Sequence, residues 1–71
     1  MVKTEKKISF VIPCYYSEKT IGTVCDDILR TMSGRDFEII LVNDGSTDGT
    51  WNTISQYCEK HSNITGLHLS Q

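Results

Sequence analysis

The residues best suited to chemistry form one acidic turn in the middle of the chain. Asp44 is followed by Gly45 and Ser46, and it comes directly after an apolar run over residues 37–42. That run has the composition of a buried strand. A carboxylate at the C-terminal end of a strand is placed to accept hydrogen bonds from a ligand, and in open α/β sheets ligands bind at that edge. The sequence therefore predicts a binding site around Asp44.

A purely structural turn is the alternative interpretation of these residues. Asp, Gly and Ser are all favoured in turns because of their backbone preferences and short polar side chains. Asp48 fits the structural role better than a binding role, since a carboxylate in the first turn of a helix stabilises unpaired N–H groups there. Evidence from a second segment is needed to choose between the two interpretations for Asp44.

Length and composition limit what the chain can be. Seventy-one residues, 38% of them hydrophobic and 23% charged, suit one small globular domain. Seven basic residues against nine acidic ones give a net charge of -2, which argues against a nucleic-acid-binding protein. No apolar stretch approaches the ~20 residues of a membrane span. Residues 1–7 are expected to be a polar lead-in and residues 8–71 the domain itself.

The three cysteines predict neither a zinc site nor a disulfide framework. Cys14, Cys25 and Cys58 are an odd number and have no C-x-x-C spacing, so we expect a reducing compartment. Cys14 is close to the predicted site, but a nucleophilic cysteine needs an activating base. His61 and His68 belong to other segments, which leaves that role a remote option.

The segment before the acidic turn is predicted to be a strand followed by a helix. An apolar run over residues 8–12 is ended by Pro13, and Ser17 offers an N-cap with Glu18 in the first helical turn. The helix is indicated by apolar residues at helical spacing, which are Ile21, Val24, Cys25, Ile28, Leu29 and Met32.

The segment after the turn is predicted to be a second helix and a third strand. This helix is expected to start near Ser46 or Thr47, with Trp51 in the core, and the strand to cover residues 64–69. The resulting β-α-β-α-β order predicts an α/β fold, a half of a doubly wound parallel sheet with strand order 3-2-1. The ends of the first two strands would then share one rim.

Two segments resemble glycosyltransferase family 2. Residues 13–18, Pro-Cys-Tyr-Tyr-Ser-Glu, are similar to the family's Pro-x-Tyr-Asn-x-Glu element after the first strand. Residues 42–50 are similar to its Val-Asp-Asp-Gly-Ser-Thr-Asp-Gly-Thr element after the second strand. The resemblance covers about residues 8–71 and the opening part of the family's catalytic domain. Tyr16 departs from the family pattern, which usually has Asn there.

The resemblance implies a Rossmann-like GT-A fold and a donor site for a nucleotide sugar. Pro13 and Tyr15 would border the base, and Asp44 would accept a hydrogen bond from it. Because uracil and guanine present a ring N–H at that edge, UDP- or GDP-sugars are the expected donors. The remaining positions carried over from the family as binding residues are Glu18, Gly45 and Ser46.

The family generally uses Mg²⁺ or Mn²⁺, held by an Asp-x-Asp beyond the third strand, and its catalytic base also follows that strand. We therefore expect no catalytic or metal-ligating residue in these 71 residues, which alone would be inactive. The acceptor would be a polysaccharide, a lipid carrier or a protein. The expected location is cytoplasmic, with membrane association of the parent protein left open. An exposed strand edge predicts self-association of the isolated chain.

Two alternatives remain at this stage. One is a nucleotide-binding module without transfer activity. The other is part of a nucleotidyltransferase or of a dinucleotide-binding protein. The second is disfavoured because the turn over residues 13–18 contains no glycine-rich loop to hold phosphates.

Overall fold

The computed structural model describes residues 7–45 and 48–69 of the chain. Within these residues strands and helices alternate, as the sequence predicts. The elements are β1 (Ile8–Cys14), α1 (Ile21–Thr31), β2 (Phe37–Asp44), α2 (Thr50–Lys60) and β3 (Ile64–Leu69). In the described part of the chain no helix is long and apolar enough to cross a membrane.

The three strands form one parallel sheet in the order β1-β2-β3. Counted from the other edge, the predicted order 3-2-1 places the same strands side by side, while the extension of this sheet into a doubly wound one stays a prediction. Ile8 pairs with Phe37, and the register continues to Cys14 opposite Asn43. The C-terminal ends of β1 and β2 therefore meet at one rim.

Both helices cover the same face of this sheet. Side chains of β2 alternate between buried and half-buried along its first seven residues, and the buried set includes Ile39 and Leu41. These two pack in one core with Ile21 and Cys25 of α1 and with Ile54 of α2. Parallel strands joined in sequence by right-handed crossovers place successive helices on one side, which accounts for the arrangement.

No helix or strand among the described residues covers the opposite face of the sheet, the uncovered face. Strand alternation places Val11, Ile40, Val42, Leu67 and Leu69 on it. Val11, Leu67 and Leu69 are 62%, 47% and 49% exposed. An apolar surface of this kind marks an interaction site or an aggregation hazard.

Strand β1 continues past the predicted end. Pro13 was expected to end the strand, but it lies within β1 and pairs with Val42. Because β1 is an edge strand of this sheet, it pairs with β2 alone and tolerates proline, which has no N–H to donate to a strand on the other side.

Helix α1 begins later than predicted, and its start shows why. Ser17 is not its N-cap: the helix starts at Ile21, with Thr20 in the cap position. The hydroxyl of Ser17 instead exchanges hydrogen bonds with the backbone of Tyr15, while the carbonyl of Ser17 accepts from the N–H groups of Thr20 and Ile21. A local turn therefore takes the hydrogen-bonding groups that an N-cap would have used. Glu18 consequently lies outside the first turn of α1.

Helix α2 also begins later than predicted. It starts at Thr50, with Gly49 in the cap position, and not near Ser46 or Thr47, which lie outside the described residues. Trp51 is not a core residue, because 36% of its surface is exposed. Its ring packs edge-on against the ring of His68, with the two ring centroids 4.8 Å apart. The fully buried residues of this helix are Thr50 and Ile54.

Candidate functional site

The rim shared by β1 and β2 brings together the strongest predicted site residues. Asp44 is the last residue of β2 and is exposed. Pro13 is exposed one position before the end of β1, and Tyr15 follows that end with 65% of its surface exposed. Strand alternation and the register place Pro13 and Asp44 on the uncovered face of the sheet.

A glycine turns the chain immediately after Asp44. Gly45 has a φ of 77°, in the left-handed region that residues with a Cβ rarely adopt. The backbone can therefore turn back toward α2 directly after the carboxylate. Ser46, predicted as a binding residue, lies outside the described residues.

The aromatic residues that follow β1 form a pair. The rings of Tyr15 and Tyr16 meet edge to face with their centroids 4.6 Å apart, and both are exposed. Tyr16 has a φ of 49°, which is uncommon for a bulky side chain. Asn tolerates this conformation better, so the Asn usual in the family at this position fits the backbone more easily than the tyrosine present here.

Glu18 reaches from the loop after β1 to the start of α2. Its Oε1 accepts a hydrogen bond from the backbone N–H of Gly49 at 3.0 Å. The first N–H groups of a helix have no partner within the helix, and they carry the positive end of its dipole. Glu18 therefore stabilises the start of α2, and its predicted place in the first turn of α1 is wrong. Its role as a nucleotide contact stays a prediction.

A second contact joins the same two loops through a buried side chain. The backbone N–H of Ser17 donates to Oγ1 of Thr50 at 3.0 Å, and Thr50 is fully buried. The hydroxyl of Thr50 donates in turn to Oδ1 of Asp48, which also accepts the N–H of Thr50 at 3.1 Å. Asp48 thus has the structural role that the sequence favoured. Sequence reasoning missed Thr50 and Gly49, because their partners lie more than 30 residues away along the chain.

The end of β3 contributes a further polar contact beside the rim. Asn43 is fully buried, and its Nδ2 lies 3.0 Å from Nδ1 of His68, which pairs with it across the strands. His68 is exposed and also contacts the ring of Trp51. His68 is therefore a surface residue whose ring has polar and aromatic contacts.

The cysteine nearest the rim is not set up as a nucleophile. Cys14 is 1% exposed, and burial raises the pKa of its thiol. The Cys14 thiol faces the carbonyl of Ile12 at 3.5 Å. Burial also raises the pKa of Cys25, to about 11, and that of Cys58. Because the thiolate is the reactive form, all three are structural cysteines near neutral pH.

The described residues do not assemble a metal site. Among residues 7–45 and 48–69, no group of three or more His, Cys, Asp or Glu side chains could hold a metal ion. The acidic pair on α1 is engaged elsewhere: Asp26 accepts from the hydroxyl of Tyr57 at 3.1 Å, and Asp27 pairs with Arg30 at 2.6 Å. These residues do not fit a bound Mg²⁺ or Mn²⁺ on their own.

Comparison with known proteins identifies a family. The sequence profile of glycosyl transferase family 2 matches residues 9–71. Over 59 residues, 82% of this chain, the sequence is 44% identical to a poly(ribitol-phosphate) beta-glucosyltransferase of Bacillus spizizenii, of which the match covers 9%. It is 32% identical over 69 residues to a dolichyl-phosphate beta-glucosyltransferase of Trichomonas vaginalis, covering 87% of this chain and 21% of that protein.

A human relative matches this chain with a similar identity and coverage. The dolichyl-phosphate beta-glucosyltransferase of Homo sapiens is 33% identical over 63 residues, which cover 79% of this chain and 19% of that protein. The chain therefore spans about a tenth to a fifth of the length of these curated relatives.

Proposed function

Because the chain belongs to glycosyl transferase family 2 and is part of a glycosyltransferase, we propose that it forms the nucleotide-binding part of the donor site. The donor is a UDP- or GDP-sugar, and the acceptor is a polysaccharide, a lipid carrier or a protein. One observation carries the proposal. The parallel register of β1 and β2 brings an exposed aromatic residue, Tyr15, and an exposed carboxylate, Asp44, to the same rim of the sheet.

In this proposal the two side chains recognise different parts of the base. The ring of Tyr15 packs against the face of the base. Because every base has such a face, this contact does not discriminate between nucleotides. Asp44 accepts a hydrogen bond from a ring N–H, which uracil and guanine have and which adenine and cytosine lack at that edge. Pro13, Gly45 and Ser46 complete the proposed set of positions that contact the donor, with Gly45 allowing the backbone to turn beside the nucleotide. Glu18, also carried over from the family, serves the site through its hydrogen bond to Gly49.

The metal ion and the sugar are proposed from the family and from the relatives' names. Mg²⁺ or Mn²⁺ would be held mainly by residues of the protein outside these 71. Several relatives are named as glucosyltransferases, so UDP-glucose and GDP-glucose are the donors to test first. We expect no transfer by the 71 residues alone, because the family's metal ligands and catalytic base follow its third strand.

The location and the self-association of the chain are proposals of the same kind. We propose a cytoplasmic site, with the acceptor deciding whether the protein works at a membrane face. We also propose that the isolated chain self-associates. Two features support this second proposal: the apolar side chains on the uncovered face, and the outer edges of β1 and β3, which pair with no further strand among residues 7–45 and 48–69.

Calorimetric titration of UDP, GDP and ADP into the full-length protein tests the donor site. Wild-type protein is expected to bind UDP or GDP more tightly than ADP. Asp44→Ala should weaken that binding by about tenfold or more, since it removes a hydrogen bond to a charged acceptor. Asp36→Ala is the matched control, because Asp36 is exposed just before the opposite end of the same strand. Equal affinity for ADP, or an unchanged affinity in Asp44→Ala, would contradict the proposal.

A further inference from the structure

We propose that Glu18 is a positioning residue for the donor site, which it serves by tying the loop after β1 to the first turn of α2. This inference rests on the proposed function, because the loop carries Tyr15. The hydrogen bond from the N–H of Gly49 to Glu18, called the tie below, fixes where Tyr15 lies relative to Asp44. It thereby sets the affinity for the nucleotide base without contact between Glu18 and the nucleotide.

The first support is the contact itself. Oε1 of Glu18 accepts the N–H of Gly49 at 3.0 Å, across 31 positions of sequence. Gly49 occupies the cap position of α2, and no side-chain hydrogen bond from the cap residue itself satisfies that helix end. A carboxylate at this end of a helix interacts favourably with both the unpaired N–H groups and the helix dipole. Glu18 is therefore held at α2 by a charge-assisted bond.

The second support is the space that Gly49 leaves for Glu18. A Cβ added at Gly49 would lie 2.6 Å from both Cδ and Oε2 of Glu18. The backbone at Gly49 has a φ of -77° and a ψ of 11°, which other residues adopt without strain. A Cβ at this position would therefore displace the Glu18 carboxylate without straining the backbone of residue 49 itself.

The third support is that the tie leads directly to Tyr15. The residue before Glu18 is Ser17, whose hydroxyl accepts from the N–H of Tyr15 and donates to its carbonyl, each at 3.1 Å. The N–H of Ser17 is held by Thr50 in the first turn of α2. A continuous set of hydrogen bonds therefore joins the backbone of Tyr15 to the helix that Glu18 contacts.

A double-mutant cycle in the full-length protein tests the tie. Glu18→Ala and Gly49→Ala should each weaken UDP or GDP binding by about threefold to tenfold, the value of one hydrogen bond. Because both changes break the same contact, the double variant should bind no more weakly than Glu18→Ala. Glu18→Gln keeps the acceptor oxygen and should stay within about twofold of wild type. Glu59→Ala removes an exposed carboxylate at the far end of α2 and serves as the control.

Two measurements separate positioning from a loss of folding. A general destabilisation lowers the number of binding sites per protein and leaves the Kd of the folded molecules unchanged, whereas lost positioning raises the Kd at full stoichiometry. Amide hydrogen exchange of peptides from residues 48–54, measured without nucleotide, should be faster in Glu18→Ala than in wild type. Additive effects in the cycle, an unchanged Kd in Glu18→Ala or unchanged exchange would overturn the inference.

The same data distinguish this inference from the proposed function. If wild-type protein binds UDP or GDP and Glu18→Ala binds equally well, the donor site stands and the tie is wrong. If wild-type protein binds neither nucleotide, the donor site is wrong. Hydrogen exchange then tests whether the contact between Glu18 and Gly49 orders the rim. An unchanged exchange rate of residues 48–54 in Glu18→Ala overturns this role, and a faster rate supports it.

Discussion

Replacing Thr50 by valine removes two hydrogen bonds while keeping the shape of the side chain. The hydroxyl of Thr50 accepts the N–H of Ser17 at 3.0 Å and donates to the carboxylate of Asp48. Thr50 is fully buried, so no water can replace its hydroxyl in the variant without a rearrangement of the loop. Valine has nearly the same volume, and its helix propensity is similar to that of threonine. The substitution therefore isolates the polar contacts from packing.

The expected cost of Thr50→Val is about 2 kcal/mol in the free energy of unfolding. A neutral hydrogen bond contributes about 0.5–1.5 kcal/mol, and one to a charged group contributes about 1.5–3 kcal/mol. Because Asp48 is exposed and water can replace its lost partner, its bond is taken near the low end of that range. A domain of this size is expected to have a stability of about 4–10 kcal/mol, so the loss is a large fraction of the total.

Urea unfolding of the chain, followed by circular dichroism and by the fluorescence of Trp51, its one tryptophan, measures this cost. The matched variant is Thr50→Ser, which keeps the hydroxyl and loses only a methyl group, at a cost of about 1 kcal/mol. Thr50→Val should therefore be the less stable of the two. If Thr50→Ser proved less stable than Thr50→Val, packing of the methyl group and not hydrogen bonding would hold the two loops together.

Three further predictions concern the backbone, the thiols and the open sheet. Tyr16 has a left-handed backbone conformation that asparagine adopts with less strain, so Tyr16→Asn should raise the free energy of unfolding by about 0.5 kcal/mol. A lower urea midpoint in this variant would show that the ring contact with Tyr15 stabilises the chain by more than the strain costs. Burial raises the pKa of Cys25 from 9.0 to about 11, so the stability that its neutral thiol contributes is complete below pH 9.0 and is lost as the pH rises through about 11. Urea titrations of Cys25→Ala should show a smaller loss of stability over this pH range, the rest coming from Cys14 and Cys58. Val11→Lys places a charge on the edge strand and should shift the isolated chain toward monomer in sedimentation, where an unchanged distribution would argue against association through this surface.

The type and order of the secondary-structure elements were predictable because local patterns encode them. The apolar run before Asp44 lies within one strand, and the helical spacing of Ile21 and Cys25 lies within one helix. In both elements the apolar positions predicted from the sequence period are the ones buried in the structure. The helix starts were wrong for a different reason. Ser17 has the composition of an N-cap, but its hydroxyl is bonded to the backbone of Tyr15. A residue type predicts that a polar side chain will find a partner without saying which one.

Contacts between distant loops were not predictable from one sequence. The partner of Glu18 is Gly49, and neither residue carries a local signal of the other. Trp51 shows the same limit for packing. Its position on α2 predicts burial, but it lies beside the edge strand β3, where its ring packs against His68 and remains partly exposed. The roles of the rim residues in binding stay predictions for the same reason, since they depend on a ligand.

The two candidate base contacts are held by different means, and this difference gives Glu18 its importance. Asp44 is still part of β2 and pairs with Leu69 of β3, so the sheet itself fixes its backbone. Tyr15 lies one residue past the end of β1, where strand pairing no longer constrains the chain. Its position depends on the hydrogen bonds of Ser17 and on the tie from Glu18 to α2. Loss of the tie should therefore act mainly through Tyr15, so that Glu18→Ala weakens nucleotide binding in the wild-type background and adds little once Tyr15 has been replaced by alanine.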